Sequence, residues 1–203
     1  MINKGLMLVV SGPAGSGKGT VNGMLMKRED FAFSVSATTR QPRPGEIDGV
    51  NYHYVSREEF LARIESGDML EYTEYCGNFY GTPLKEAEEV LASGKNLILE
   101  IEVEGAENVK KKYPDAVLVL LLPPSYAVQE QRLRGRGTET EEKITERLAR
   151  AKEEIAHASS YDYVVYNYDG KDAEAAEQIL AIVSAEKCSL ARNTSVAEDY
   201  LKV

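Results

Sequence analysis

Residues 12–20 read Gly-Pro-Ala-Gly-Ser-Gly-Lys-Gly-Thr, and Gly12 to Lys18 match the spacing G-x-x-x-x-G-K. Gly12, Gly15 and Gly17 let backbone N–H groups turn inward around an anion, and a helix opening nearby adds its positive end. Pro13, Ala14 and Ser16 complete the loop, and Lys18 is placed to bridge the β and γ phosphates of a nucleoside triphosphate. One position departs from the pattern. Gly19 stands where Ser or Thr ordinarily meets Mg²⁺, and Thr20 follows one residue later. The bland alternative is a glycine-rich turn with a solvated lysine. A strand before the loop and a helix after it argue against that.

The elements that must position this loop follow from periodicity. Leu6–Val10 is a short apolar run that reads as a buried strand, and Val21–Lys27 reads as a helix. Arg40 to Gly45 is a basic, turn-rich segment. Tyr52–Val55 predicts a strand, Ser56-Arg57-Glu58-Glu59 a capping box opening a helix through Ile64, and Gly67 its stop. Met69–Tyr75 predicts another strand, Gly77-Asn78 a turn, and Pro83–Leu91 a helix. Leu97–Val103 reads as a strand that sets Glu100, Glu102 and Glu104 on one face. Ala116–Leu122 is apolar on both faces, as an interior parallel strand requires. A charged helical stretch runs from Tyr126 to about Ala158, broken at Gly135-Arg136-Gly137; Tyr163–Tyr166 is a last strand and Ala173–Lys187 a last helix. The residues from Ser189 are polar and unpatterned, which predicts a disordered tail. Alternating strands and helices indicate an α/β fold with a parallel sheet, whose ligands sit at the carboxyl ends of the strands.

Phe33 to Arg40 followed by Pro42-Arg43-Pro44-Gly45-Glu46, then Gly77 to Thr82, then Gly135 to Glu141, resemble the signatures of the guanylate kinase family. The resemblance runs in order from about Leu6 to Lys187. It implies a three-layer P-loop core, a GMP-binding lobe, a helical lid, and phosphoryl transfer from ATP to GMP, and to dGMP, with Mg²⁺ in purine nucleotide metabolism. The domain then spans 1–187: core about 5–34, 84–124 and 159–187, GMP lobe about 35–83, lid about 125–158, with 188–203 as the tail. Arg40 and Arg43 offer guanidinium forks suited to the GMP phosphate; Tyr52 and Tyr80 are implied to add hydroxyls to it. Glu71 can accept two parallel bonds from guanine N1–H and its amine, a donor pair adenine lacks. Alone, such a residue reads as a surface carboxylate. By resemblance, Ser36, Gly81 and Thr82 also belong to the GMP site. Glu102 stands where the family usually has Asp, within reach of the guanine amine or, like Thr20, of a Mg²⁺-bound water. Glu104 stands where the family usually has Gln. Arg136 and Arg147 are implied to close over the transferring phosphoryl group with Lys18 and Arg43, and Arg132 and Asn167 to lie near the adenine. Arg134 has no family counterpart and reads as solvated.

The formal net charge of −9 argues against a binder of nucleic acid polymers. Cys76 and Cys188 have no metal or redox spacing, and two histidines leave little for zinc. No apolar run is long enough to span a membrane, and no targeting segment is evident, so a reduced cytoplasmic protein is expected. Oligomeric state stays open. Two other readings share features: a kinase for another nucleoside monophosphate, and a guanylate-kinase-like interaction module, which commonly lacks the ATP loop that this chain keeps.

Overall fold

The computed structural model describes residues 5–75, 77–135, 137 and 140–202, with Tyr75 and Glu104 described by backbone alone. β1 (Met7–Ser11), buried along its whole length, feeds the glycine loop and then α1 (Lys18–Leu25). β2 (Phe31–Phe33) follows, then β3 (Ala37–Thr38), β4 (His53–Tyr54), α2 (Arg57–Glu65), β5 (Met69–Tyr75) and β6 (Asn78–Pro83). The chain continues through α3 (Leu84–Ala92), β7 (Asn96–Leu99), α4 (Val103–Lys112), β8 (Val117–Leu122), α5 (Tyr126–Gly135) and α6 (Glu141–Ala156). It ends with β9 (Tyr163–Tyr166), α7 (Asp172–Cys188) and α8 (Val196–Leu201).

Among the described residues, five parallel strands form the main sheet in the order β2-β7-β1-β8-β9. Leu8, Val10, Ile98, Val119 and Leu121 point to one face and pack against Val21 and Leu25 of α1 and Ile179 and Val183 of α7. Val9, Leu97, Leu99 and Leu118 point to the other and pack against α3 and α4 through Ala87, Leu91, Ala106 and Val109. Burial on both faces explains why these strands read as continuous apolar runs. Each fully buried aliphatic side chain stabilises the layers by about 1.5–3 kcal/mol.

Residues between β2 and α3 form a second sheet, ordered β4-β3-β6-β5 among the described residues. Its small core is Ala37, Phe60, Met69 and Phe79, with the Phe60 and Phe79 rings stacked 5.3 Å apart. α2 opens as the capping box predicts: Ser56 Oγ accepts the Glu59 amide at 3.0 Å, and Gly67, at φ 78°, follows its end. β5 and β9 carry the predicted bounds.

Three expectations are corrected. The strand read as Leu97–Val103 stops at Leu99, and Val103 opens α4. The alternation Glu-Ile-Glu-Val mimics a strand, but Val103, Ala106 and Val109 recur at helical spacing and are buried, Ala106 and Val109 against the sheet. Glu100 and Glu102 therefore share no strand face; Glu102 is the N-cap of α4. The tail is not structureless: Arg192 pairs with Glu186 at 2.7 Å, Asn193 bonds two backbone carbonyls near the end of α7, and α8 follows. Arg134 is not merely solvated; it pairs with Glu130 and Glu141 and so links α5 to α6.

Candidate active site

The carboxyl end of β1 delivers the glycine loop, and the backbone shows why glycine is needed there. Gly12 has φ 151°, and a Cβ on it would overlap the Leu121 carbonyl. Gly17 has φ 92°, and a Cβ there would overlap the Asn167 amide. Gly17 is also the N-cap of α1, with no side chain to cap the helix's first amides. Thr20 N–H turns back to Gly17 O at 3.1 Å, the Lys18 and Gly19 amides are ones that an α-helix leaves without intrahelical partners, and the helix dipole makes the position attractive to an anion.

The loop's carbonyls are held by side chains from three directions. Lys18 Nζ donates to Gly12 O. From α5, Gln129 Nε2 donates to Ala14 O at 2.9 Å and Arg132 Nη1 to Gly15 O at 3.2 Å. From the end of β9, Asn167 Nδ2 donates to Ser16 O at 3.0 Å and to Asp172 Oδ1 at 2.9 Å. With its carbonyls engaged outward, the loop is left to present N–H groups to a ligand. Arg132 also bonds Asn167 O at 2.8 Å and pairs with Asp169 at 2.6 Å. Gly15, Gly17, Arg132, Asn167 and Tyr168 border a cavity of about 270 Å³ beside the loop. Gly19 and Thr20 are exposed in the first turn of α1.

The second cluster lies in the smaller sheet. Register places Thr38 beside both Tyr80 and Tyr54, and Ala37 beside Gly81. Arg40, just past β3, sets its guanidinium 5.5 Å from the Tyr52 ring and 5.8 Å from the Tyr54 ring. Tyr52 meets Tyr80 edge-on at 6.0 Å. Arg40 forms a two-pronged pair with Glu46, Nη2 to Oε1 at 2.9 Å and Nη1 to Oε2 at 3.0 Å. That pairing holds the Arg40 cation firmly protonated. Ser36 is half-buried, its carbonyl accepting His53 N–H, and Arg43 is exposed at the loop tip.

Glu71 lies on β5 opposite Thr82 of β6 and is buried at 5% exposure, not the surface carboxylate that its type suggests. Thr82 Oγ1 donates to its Oε1 at 2.8 Å. A Cβ at Gly81 would overlap the Glu71 carbonyl, and one at Gly105 of α4 would sit 3.0 Å from Glu71 Oε2. Burial pushes the Glu71 acid up to about 7, against the opposing bonds from Thr82.

Between the clusters lie the acidic ends of β7 and α4. Glu100 Oε2 accepts from buried Asn22 of α1 at 2.8 Å. Glu102 shares a cavity of about 310 Å³ with Thr73, Glu154 and Arg150, which lies 3.8 Å from it. Burial, then the neighbouring Glu102, raises the acid of Glu154, which Lys18 and Arg150 oppose. Arg147 is exposed on α6. Arg136 lies outside the described residues.

The structure thus joins loop, Arg132 and Asn167 in one group, and Arg40, Tyr52, Tyr80, Glu71, Gly81 and Thr82 in another. Sequence reasoning gave no part to Glu46, Gln129, Asn22 or Glu100 as supports. For Glu46 a signal existed: an acidic residue after Pro-Gly, six residues past an arginine, closes a turn. A glutamine inside a charged helix carries none.

The family model for guanylate kinase matches residues 4–185. The chain belongs to the guanylate kinase family. It is 53% identical over 190 residues to a guanylate kinase of Halalkalibacterium halodurans, covering 93% of this chain and 92% of that one. It is 52% identical to a guanylate kinase of Shouchella clausii, covering 98% and 97%. The crystal structure of guanylate kinase from Anaplasma phagocytophilum superposes with a TM-score of 0.73 at 35% identity, over 92% of this chain and 88% of that one. The α/β fold with its parallel sheet is therefore that of guanylate kinases.

Proposed function

We propose that this chain transfers the γ-phosphoryl group of ATP to GMP, giving ADP and GDP, with 35–83 as the GMP lobe and 125–158 as the lid. The observation that carries the acceptor is the buried Glu71 carboxylate beside Thr82, on the same small sheet as Arg40, Tyr52 and Tyr80. Glu71 accepts guanine N1–H and its amine, with Thr82 and Ser36 bordering the base. Arg40, Arg43, Tyr52 and Tyr80 bind the phosphate. On the donor side, loop amides and Lys18 bind the ATP phosphates, and the cavity bordered by Arg132 and Asn167 receives the adenine.

The oxygen donors nearby fit Mg²⁺. Among the described residues no cluster of three or more His, Cys, Asp or Glu forms a metal cage. Mg²⁺ ordinarily takes one or two carboxylates plus phosphate oxygens and waters. Glu100, Glu102 and Thr20 are the residues to hold its waters. When bound, the ion neutralises charge on the β and γ oxygens.

The rest is positioning and electrostatics. The two sites hold acceptor oxygen and γ-phosphorus in line, which replaces a bimolecular encounter by an ordered one. Lys18, Arg43 and the lid arginines Arg136 and Arg147 meet charge developing on the transferring group, and closure excludes water. The GMP phosphate is already ionised, so no general base is required. No helix among the described residues is long and apolar enough to cross a membrane; a cytoplasmic site of action fits this reading.

A coupled assay for ADP release with GMP, AMP, UMP and CMP tests it. Turnover is expected with GMP and at least about 100-fold less with the others, because unmatched bases leave Glu71 without its donors. Comparable turnover of AMP overturns the assignment.

A further inference from the structure

Glu46 sits in the phosphate-binding half of the acceptor site and, though not itself one of the substrate contacts proposed above, grips two of them. Its carboxylate gathers four donors. Arg40 gives it Nη1 and Nη2, the Tyr54 hydroxyl donates at 2.7 Å, and the Arg43 backbone N–H donates at 2.6 Å. Both partners of the Arg40–Glu46 pair are largely covered, at 15% and 19% side-chain exposure. The Arg40 bonds, then the Arg43 amide and the Tyr54 hydroxyl, hold the Glu46 acid down to about 2, so it is ionised at any working pH.

The geometry of the fork matters. A guanidinium has five N–H donors. Glu46 occupies the Nη1–Nη2 edge, and Nη1 also donates to Gln41 O at 2.7 Å. Among the described residues Arg40 donates through Nη1 and Nη2 alone. The Nε–Nη2 edge is the second fork of the same plane, and a phosphate can take it in two-pronged fashion. The Tyr52 and Tyr54 ring centres lie 5.5 and 5.8 Å from Arg40 Cζ, so aromatic faces border the fork. An unpaired arginine would have to freeze its long side chain when the ligand arrives; this one is ordered in advance.

We infer that Glu46 is a positioning residue: by gripping one edge of Arg40 and the Arg43 amide, it presents the other edge of Arg40 to the phosphate of GMP. The inference rests on the reading of Arg40 as a phosphate ligand. A competing effect runs the other way, since the Glu46 charge offsets that of Arg40 and weakens its pull on an anion. The Tyr54 hydroxyl and the Arg43 amide share the Glu46 charge and temper that loss, whereas nothing replaces the lost alignment, so order is expected to win.

The test compares Glu46→Gln with Arg40→Ala. KM is measured for GMP and for ATP, and binding of GMP and of guanosine by calorimetry. Glu46→Gln cannot accept both prongs of Arg40, and its KM for GMP should rise about tenfold or more. KM for ATP and the affinity for guanosine, which has no phosphate, should stay within about twofold. Glu46→Asp, which keeps the charge, should recover part of the loss. If Arg40→Ala raises the KM for GMP and Glu46→Gln does not, Glu46 has no positioning role. Equal loss of GMP and guanosine would show that Glu46 only holds the lobe together, and tighter GMP binding that its charge dominates; either overturns the proposal. If Arg40→Ala leaves the KM for GMP unchanged, the phosphate reading of Arg40 fails and takes the Glu46 role with it.

Discussion

Glu71 is a carboxylate placed where a carboxylate is costly. Its neighbours are the Thr82 hydroxyl and the tight approach of Gly105, and burial lifts its acid to about 7. In the unfolded chain the same acid titrates near 4.5. The folded protein therefore holds an extra proton between those values. The stability this group contributes is fully present below about 4.5 and is lost as pH rises through about 7. Glu71→Gln removes that loss. The variant should gain roughly 1–3 kcal/mol over the native chain at pH 8.5, and much less at pH 5. Urea unfolding at the two pH values measures it; an equal difference at both would show that Glu71 is not buried as an acid. The same variant should lose its preference for GMP, because an amide cannot accept both guanine donors. Stability and recognition thus pull apart at one residue, as expected where a buried polar group waits for a ligand.

At the scale of elements, the phosphate loop is a product of what packs behind it. β1 ends at Ser11, α1 begins at Lys18, and α5 and the end of β9 supply the donors that fix the loop's carbonyls. Asn167→Leu keeps an apolar body of similar size but strands the Ser16 carbonyl. It should cost about 1–3 kcal/mol of stability and raise the KM for ATP several-fold with little change for GMP. Steady-state kinetics with each substrate varied would test this, and a rise in the KM for GMP alone would contradict it. The loop itself was legible in the sequence because glycine and lysine spacing encode it locally. The same holds for β5, β9 and the capped start of α2, each marked by alternation or a cap. What supports the loop was not legible. Gln129 reaches Ala14 across 115 residues, and Asn167 reaches Ser16 across 151. No local pattern carries such a contact. α4 was misread for a related reason: Gly105 interrupts its periodicity, and Ile101–Val103 alternate like a strand while the sheet has already ended. β6 was hidden because its pairing with β3 and β5 is long-range, and the Gly77-Asn78 turn signal masked its start.

For the molecule as a whole, the two proposed sites rest on cores of unequal size. The main sheet is sealed on both faces by helices, so the glycine loop stands on the most buried part of the chain. The smaller sheet, which carries the proposed acceptor lobe, has its own small core of Ala37, Phe60, Met69 and Phe79. Local stability follows local burial, so the lobe should open more readily than the main sheet. Such a division suits a kinase whose lobes must move to bring two anions together and then release them. Phe60 is the test of it. Its ring is fully buried and stacks on Phe79, far from the loop in both sequence and packing. Phe60→Ala removes about 3–5 kcal/mol of packing, a large share of the 5–15 kcal/mol that holds a typical domain. Spread over the whole chain, that loss should weaken both sites alike. Confined to the lobe, it should abolish GMP binding while ATP binds within about threefold of the native affinity. Amides of β3 and β6 should then exchange with solvent faster, and those of β1 and β8 should not. Titration with each nucleotide and hydrogen exchange by residue decide between these outcomes. Parallel loss of ATP and GMP binding would show that lobe and core unfold as one unit, and that any motion between them is a rigid-body swing.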